Sequence, residues 1–138
     1  MAALFVDVLR VYTLAGKFRV REFVVMRDHI HLLITLGSDM SIEKAMQMII
    51  GGFSYRAKKE LRFSSEVWQR GFSDVRVKDE TSFVAHRSYI YENPVRAGLV
   101  NRAEEHPYSS LHLRRSKAQG LKPTISTVAV IGTTEVVP

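Results

Sequence analysis

The stretch Phe23-Val24-Val25-Met26-Arg27-Asp28-His29-Ile30-His31-Leu32-Leu33-Ile34 decides how this chain is read. Two apolar, β-branched runs flank the polar pair Arg27-Asp28, the pattern of antiparallel strands joined by a short turn. Side chains alternate along a strand. His29 and His31 therefore share one face, roughly 7 Å apart, while Ile30 enters the opposite layer. Two neutral imidazoles on a rigid strand can converge on one divalent cation. His-x-His also arises by chance in strands, and for the pair taken alone that reading stays open. The apolar flanks weigh against it, because two unpartnered imidazoles in such surroundings would each cost a few kcal/mol. Two ligands do not complete a site, so a third protein ligand and waters are needed.

Working outward, Leu4, Phe5, Val8, Leu9 and Tyr12 lie at helical spacing within residues 2–15, ended by Gly16. Lys17 to Met26 is the first strand, with Phe18, Val20, Glu22 and Val24 against Arg19, Arg21, Phe23 and Val25. His29 to Leu36 is the second. Ser41 or Asp39 caps a helix over 42–61, which Gly51-Gly52 should weaken or bend, at about 1 kcal/mol per glycine. Residues 63–71 form a loop holding Trp68, and Val75 and Val77 alternate with polar neighbours in a third strand over 72–78. A helix starts at Asp79 or Thr81 and stops at Asn93, because a proline disfavours helical geometry in the residue before it. The order α, β, β, α, β, α predicts an α+β fold, an antiparallel sheet with helices on one face, lacking a first strand. Residues 1–113 form the domain; 114–138 are expected to be a basic, mobile tail.

With 138 residues, 46% apolar and 25% charged, the chain has the composition of one globular domain. It holds no run of eighteen apolar residues and no signal-peptide pattern, so no membrane span is expected. It has no cysteine, which excludes disulfides, a thiol nucleophile and cysteine-ligated zinc. A formal charge of +6, shared about equally between domain and tail, favours polyanionic partners. A cytoplasmic protein fits.

Tyr89 and Asn93 are four apart on the last helix, hence on one face, with Glu92 near it. A tyrosine delivered to a histidine-held ion would be a nucleophile for phosphoryl transfer, and Asn93 or Glu92 would complete the ion's shell. The alternative is a core-anchoring tyrosine and a helix-terminating asparagine. Tyr91 lies about 200° round the helix from Tyr89, and Tyr55 has no ligand-like neighbour. Arg56, Lys58, Lys59 and Arg62, followed by Trp68, Arg70 and Phe72, interleave cations with aromatics as single-stranded nucleic acid requires. A solvated helix face, with Trp68 in the core, is the competing account.

These residues resemble the single-tyrosine HUH transposases of the insertion-sequence IS200 type, in particular the REP-associated tyrosine transposases. Residues 23–34 are similar to that family's histidine strand. Val67-Trp68-Gln69-Arg70-Gly71-Phe72 is similar to its tryptophan–glutamine loop, and Tyr89-Ile90-Tyr91-Glu92-Asn93-Pro94-Val95-Arg96-Ala97-Gly98-Leu99-Val100 to its tyrosine helix and following turn. The closing Pro107-Tyr108-Ser109-Ser110 matches too. The resemblance spans about residues 20–112, and three motifs in this order and spacing are specific.

It implies a ferredoxin-like HUH domain that binds hairpin-forming single-stranded DNA as a monomer or homodimer, in a bacterial, nucleoid-associated setting. It also implies Tyr89 as nucleophile leaving a 5′-phosphotyrosine link, and His29 and His31 as ligands of Mg²⁺ or Mn²⁺. Asn93 stands where related enzymes carry a glutamine ligand. The family's proline–asparagine turn is Arg27-Asp28 here, and its strand before the first helix is missing, as in an N-terminally truncated member. Two other classes compete with the transposase: a decayed hairpin-DNA-binding module, and a small metal-dependent nuclease acting through water.

Overall fold

The computed structural model describes residues 1–63, 72–117 and 130–135. In chain order they form α1 (Ala2–Leu14), β1 (Arg19–Val25), β2 (His29–Thr35), α2 (Ile42–Leu61), α3 (Glu80–Arg96), a 3₁₀ turn (Ala103–Glu105), α4 (Ser110–Lys117) and β3 (Val130–Glu135). The sheet is antiparallel in the order β1-β2-β3, so the histidine strand is central. The architecture is α+β, as the sequence predicts.

The pleat divides the core in two. Phe23, Val25, Ile30, Leu32 and Ile34 meet Phe5, Val8 and Leu9 of α1 and Met46, Ile49 and Phe53 of α2 on one face. Val24 and Leu33 meet Phe83 and Ile90 of α3 on the other, together with Met26 and Val77. The helices therefore cover both faces, not one. A bulge between Val20 and Glu22 breaks the first strand's alternation. The extra residue sends Val20 to the α1/α2 layer and leaves Glu22 on the α3 side with Val24.

Three other expectations are corrected. Residues 72–78 form no strand of the sheet, whose order is β1-β2-β3. Val77 instead plugs the α3 layer, 2% exposed. The final helix does not end at Asn93 but runs through Pro94 to Arg96. A proline near a helix C-terminus removes a single hydrogen bond. Pro94 is buried, and its carbonyl accepts from Leu99 N at 3.0 Å, beside Gly98 at φ +73. Finally, the segment after 113 is not without regular structure, since α4 crosses that boundary and β3 lies beyond it.

α2 is one continuous helix with Ser41 Oγ capping Lys44 N at 3.1 Å. A Cβ at Gly51 would meet nothing, but one at Gly52 would strike the Tyr12 ring, so Gly52 permits α1 to lie against α2. The outer edge of β1 is covered by the closing phrase. Val25 N donates to Tyr108 O, His106 Nε2 to Val25 O (both 2.9 Å), and Phe23 N to Ser110 Oγ at 3.0 Å.

Candidate active site

The hairpin turn sets the first imidazole. Asp28 Oδ1 accepts a 2.7 Å hydrogen bond from His29 Nδ1, which holds the Asp28 carboxyl below its usual range. With Nδ1 protonated toward a carboxylate, His29 keeps its Nε2 lone pair available. Sequence reasoning treated Asp28 only as a turn residue; an acid directly before the first histidine was the signal.

His31 lies 4.8 Å from His29 between ring centroids, nearly perpendicular to it, and is 4% exposed. Its Nδ1 is buried with no hydrogen-bond partner. Burial first, and the neighbouring His29 second, lower its pKa to about 4. The ring is therefore neutral at physiological pH, the form a metal ion needs. From α3, the Tyr89 ring stands edge-on to His31 at 5.3 Å, 41% exposed. The Arg96 guanidinium, two turns further along that face, lies 4.9 Å from the Tyr89 ring centre. Arg96 escaped the sequence reading, although a seven-residue spacing from Tyr89 places it there.

The two other candidate nucleophiles, Tyr91 and Tyr55, lie elsewhere. Tyr91 is bonded to Arg114 on the far side of α3, and burial first, then Glu22, pushes its phenol up to about 12. Tyr55 is exposed on α2, across the sheet.

Asn93 is half-buried one turn beyond Tyr89, and Glu92 is exposed. Among the described residues, no three His, Cys, Asp or Glu side chains are grouped to hold a metal. The donors that do converge, two imidazoles with one nitrogen unpartnered in the interior, fit a divalent cation.

The described members of the basic set do not join this site. α2 packs on the opposite face of the sheet, with Lys58, Lys59 and Arg62 exposed and Lys59 5.8 Å from the Tyr55 ring centre. Arg56 is engaged by Asp7 at 2.7 Å and by Glu60, so its charge is largely neutralised within the protein. Trp68 and Arg70 lie outside the described residues.

The pH dependence of the metal-free protein follows from His31. Its folded pKa lies below the unfolded value of about 6.5. The unfolded chain therefore gains a proton first as pH falls, and stability drops between about pH 6.5 and 4. The expected loss is on the order of 3 kcal/mol. Urea unfolding in EDTA at pH 7 and pH 4 checks this against His31→Leu, which should lose that much less; equal losses would refute it.

Fold and site together describe an α+β protein with a histidine pair on its central strand and a helical tyrosine against it. The chain belongs to the IS200-like transposase family, whose model matches residues 3–93. It is 31% identical over 105 residues to a Haemophilus influenzae protein named as a REP-associated tyrosine transposase, covering 69% of this chain and 60% of that one. It is 28% identical over 107 residues to the REP-associated tyrosine transposase of Escherichia coli, covering 77% and 61%. The chain thus spans about 60% of the length of these curated relatives. No solved structure gives a significant match. No helix among the described residues is long and apolar enough to cross a membrane.

Proposed function

We propose that this domain cleaves and rejoins hairpin-forming single-stranded DNA through Tyr89. The observation that carries the proposal is the edge-on contact between Tyr89 and His31 beside His29. In the step itself, Tyr89 Oη bonds to the scissile phosphorus, and its proton passes to solvent or a base. The bond from phosphorus to the 3′-oxygen breaks. The products are a 5′-phosphotyrosine and a 3′-hydroxyl, which takes up a proton; the reverse attack rejoins the strand.

His29 and His31 would hold Mg²⁺ or Mn²⁺, with Asn93 as the third protein donor. Such an ion supplies Lewis-acid polarisation of the phosphate. Asp28 orients His29, and Arg96 brings positive charge to the phenol's ring. Lys58, Lys59 and Arg62 offer phosphate contacts on the other side of the sheet, where a folded hairpin stem would be held by salt-dependent attraction. Such a protein acts at the bacterial nucleoid, as monomer or homodimer.

The test uses the full chain and a panel of 3′-labelled single strands, each holding an inverted repeat. The expected product is an SDS-resistant protein–DNA band in Mg²⁺ or Mn²⁺ that disappears in EDTA. Free 5′-phosphate ends without that band would replace the proposal with a nuclease acting through water. A second reading, DNA binding without cleavage, is favoured by the missing acidic third donor among the described residues. Salt-dependent binding with no scission would select it.

A further inference from the structure

α3 meets the sheet through a thin apolar seam in which Phe83, Ile90 and Pro94 are its buried residues. A seam this narrow sets where the helix lies but only weakly sets its rotation about its own axis. Ile90 points into the sheet, and Tyr89 and Tyr91 flank it, about 100° to either side. Tyr89 goes toward the histidines; Tyr91 goes toward β1 and α4.

On the Tyr91 side lies a polar network that no step above uses. Arg114 Nη1 donates to Tyr91 Oη at 2.7 Å, and Arg114 Nη2 donates to Glu22 Oε1 at 2.6 Å. Glu22 Oε2 accepts from Ser110 Oγ at 2.7 Å. Glu22 is 4% exposed and sits at the bulge that turned it to this side. A buried carboxylate is weak as a source of stability, because desolvation offsets its ion pair; its geometric demands are strict.

We infer that Glu22, Arg114 and Tyr91 form a rotational lock on α3, and that they are positioning residues for Tyr89. The lever is long. A phenol oxygen stands about 9 Å from the helix axis, so a 15° rotation displaces it by about 2 Å. A displacement of about 1 Å can lower a rate on the order of a hundredfold. The seam alone tolerates such a turn, and the three bonded partners on β1, α4 and α3 do not.

The lock concerns the reaction only if Tyr89 is the nucleophile proposed above, so its test has an arm independent of activity. Tyr91→Phe removes one hydroxyl and keeps the ring; Arg114→Met, at a partly exposed side chain, is the second variant. NMR reads the cross-peak between Tyr89 and His31 ring protons. The same samples give the rate of adduct formation and the Kd for hairpin DNA.

The expected result is loss or strong weakening of that cross-peak in both variants. The adduct rate falls about 10- to 100-fold, with Kd within about twofold. A cross-peak unchanged from wild type in both variants overturns the lock, whatever the rates. A wild-type protein that shows the cross-peak but never forms adduct refutes the nucleophile and leaves the lock to be judged by NMR alone.

Discussion

Tyr89→Phe abolishes the covalent protein–DNA adduct, by at least about a thousandfold, while hairpin binding is retained within about twofold. The substitution removes one oxygen and little else. Phenylalanine keeps the edge-on packing against His31 and the face offered to Arg96, so α3 and the histidines have no reason to move. The two other tyrosines weighed as nucleophiles lie elsewhere. Tyr91 faces the other way, bonded to Arg114, and Tyr55 is on the opposite side of the sheet. Adduct yield on labelled single strands, with Kd from fluorescence anisotropy, checks the prediction. An adduct that survives the change would transfer the nucleophile to another tyrosine.

The paired variant His29→Ala, His31→Ala is expected to abolish divalent-dependent cleavage. Lewis-acid stabilisation of a developing phosphate charge is worth several kcal/mol, or roughly a thousandfold or more in rate. Some stability is lost as well, since His31 is buried and alanine leaves a space. Its Nδ1 has no partner, however, so the deletion strands no hydrogen-bonded neighbour there. Direct titration with Mn²⁺, followed by electron paramagnetic resonance, separates the two effects. A folded double variant that has lost Mn²⁺ binding and cleavage together supports the metal role. Cleavage unchanged in that variant ends it.

Asp28→Asn divides the contributions more finely. It removes the charged acceptor that orients His29 without touching a donor to the ion. Second-sphere partners of this kind are worth about 10- to 100-fold in metal affinity. A weaker Mn²⁺ affinity with unaltered hairpin binding is expected; an unchanged affinity would reduce Asp28 to a turn residue.

Much of the local structure was legible because its signals are short-range. Ser41 and the apolar spacing after it located α2 at 42–61 despite two central glycines. The Tyr12 ring against Gly52 explains one of those glycines, a contact about forty residues away in sequence that no helix propensity contains. The alternation of residues 17–26 was real at both ends and misleading in between, because a single bulged residue reverses every face after it. Residues 72–78 carry a fair strand pattern, yet of the two valines that would share a strand face Val77 is buried in the α3 layer and Val75 is 51% exposed.

By itself, then, the sequence determined the hairpin, the shared face of His29 and His31, the helices and the motif order that marks the family. These are properties of period and spacing, written within a few residues of one another. Tertiary structure alone decided which tyrosine meets the histidines, that Arg56 is engaged by Asp7 of α1, and that Glu22 anchors the tyrosine helix from behind. Each of these depends on which surfaces compete for the same edge or the same charge, and that competition exists only once the chain has folded.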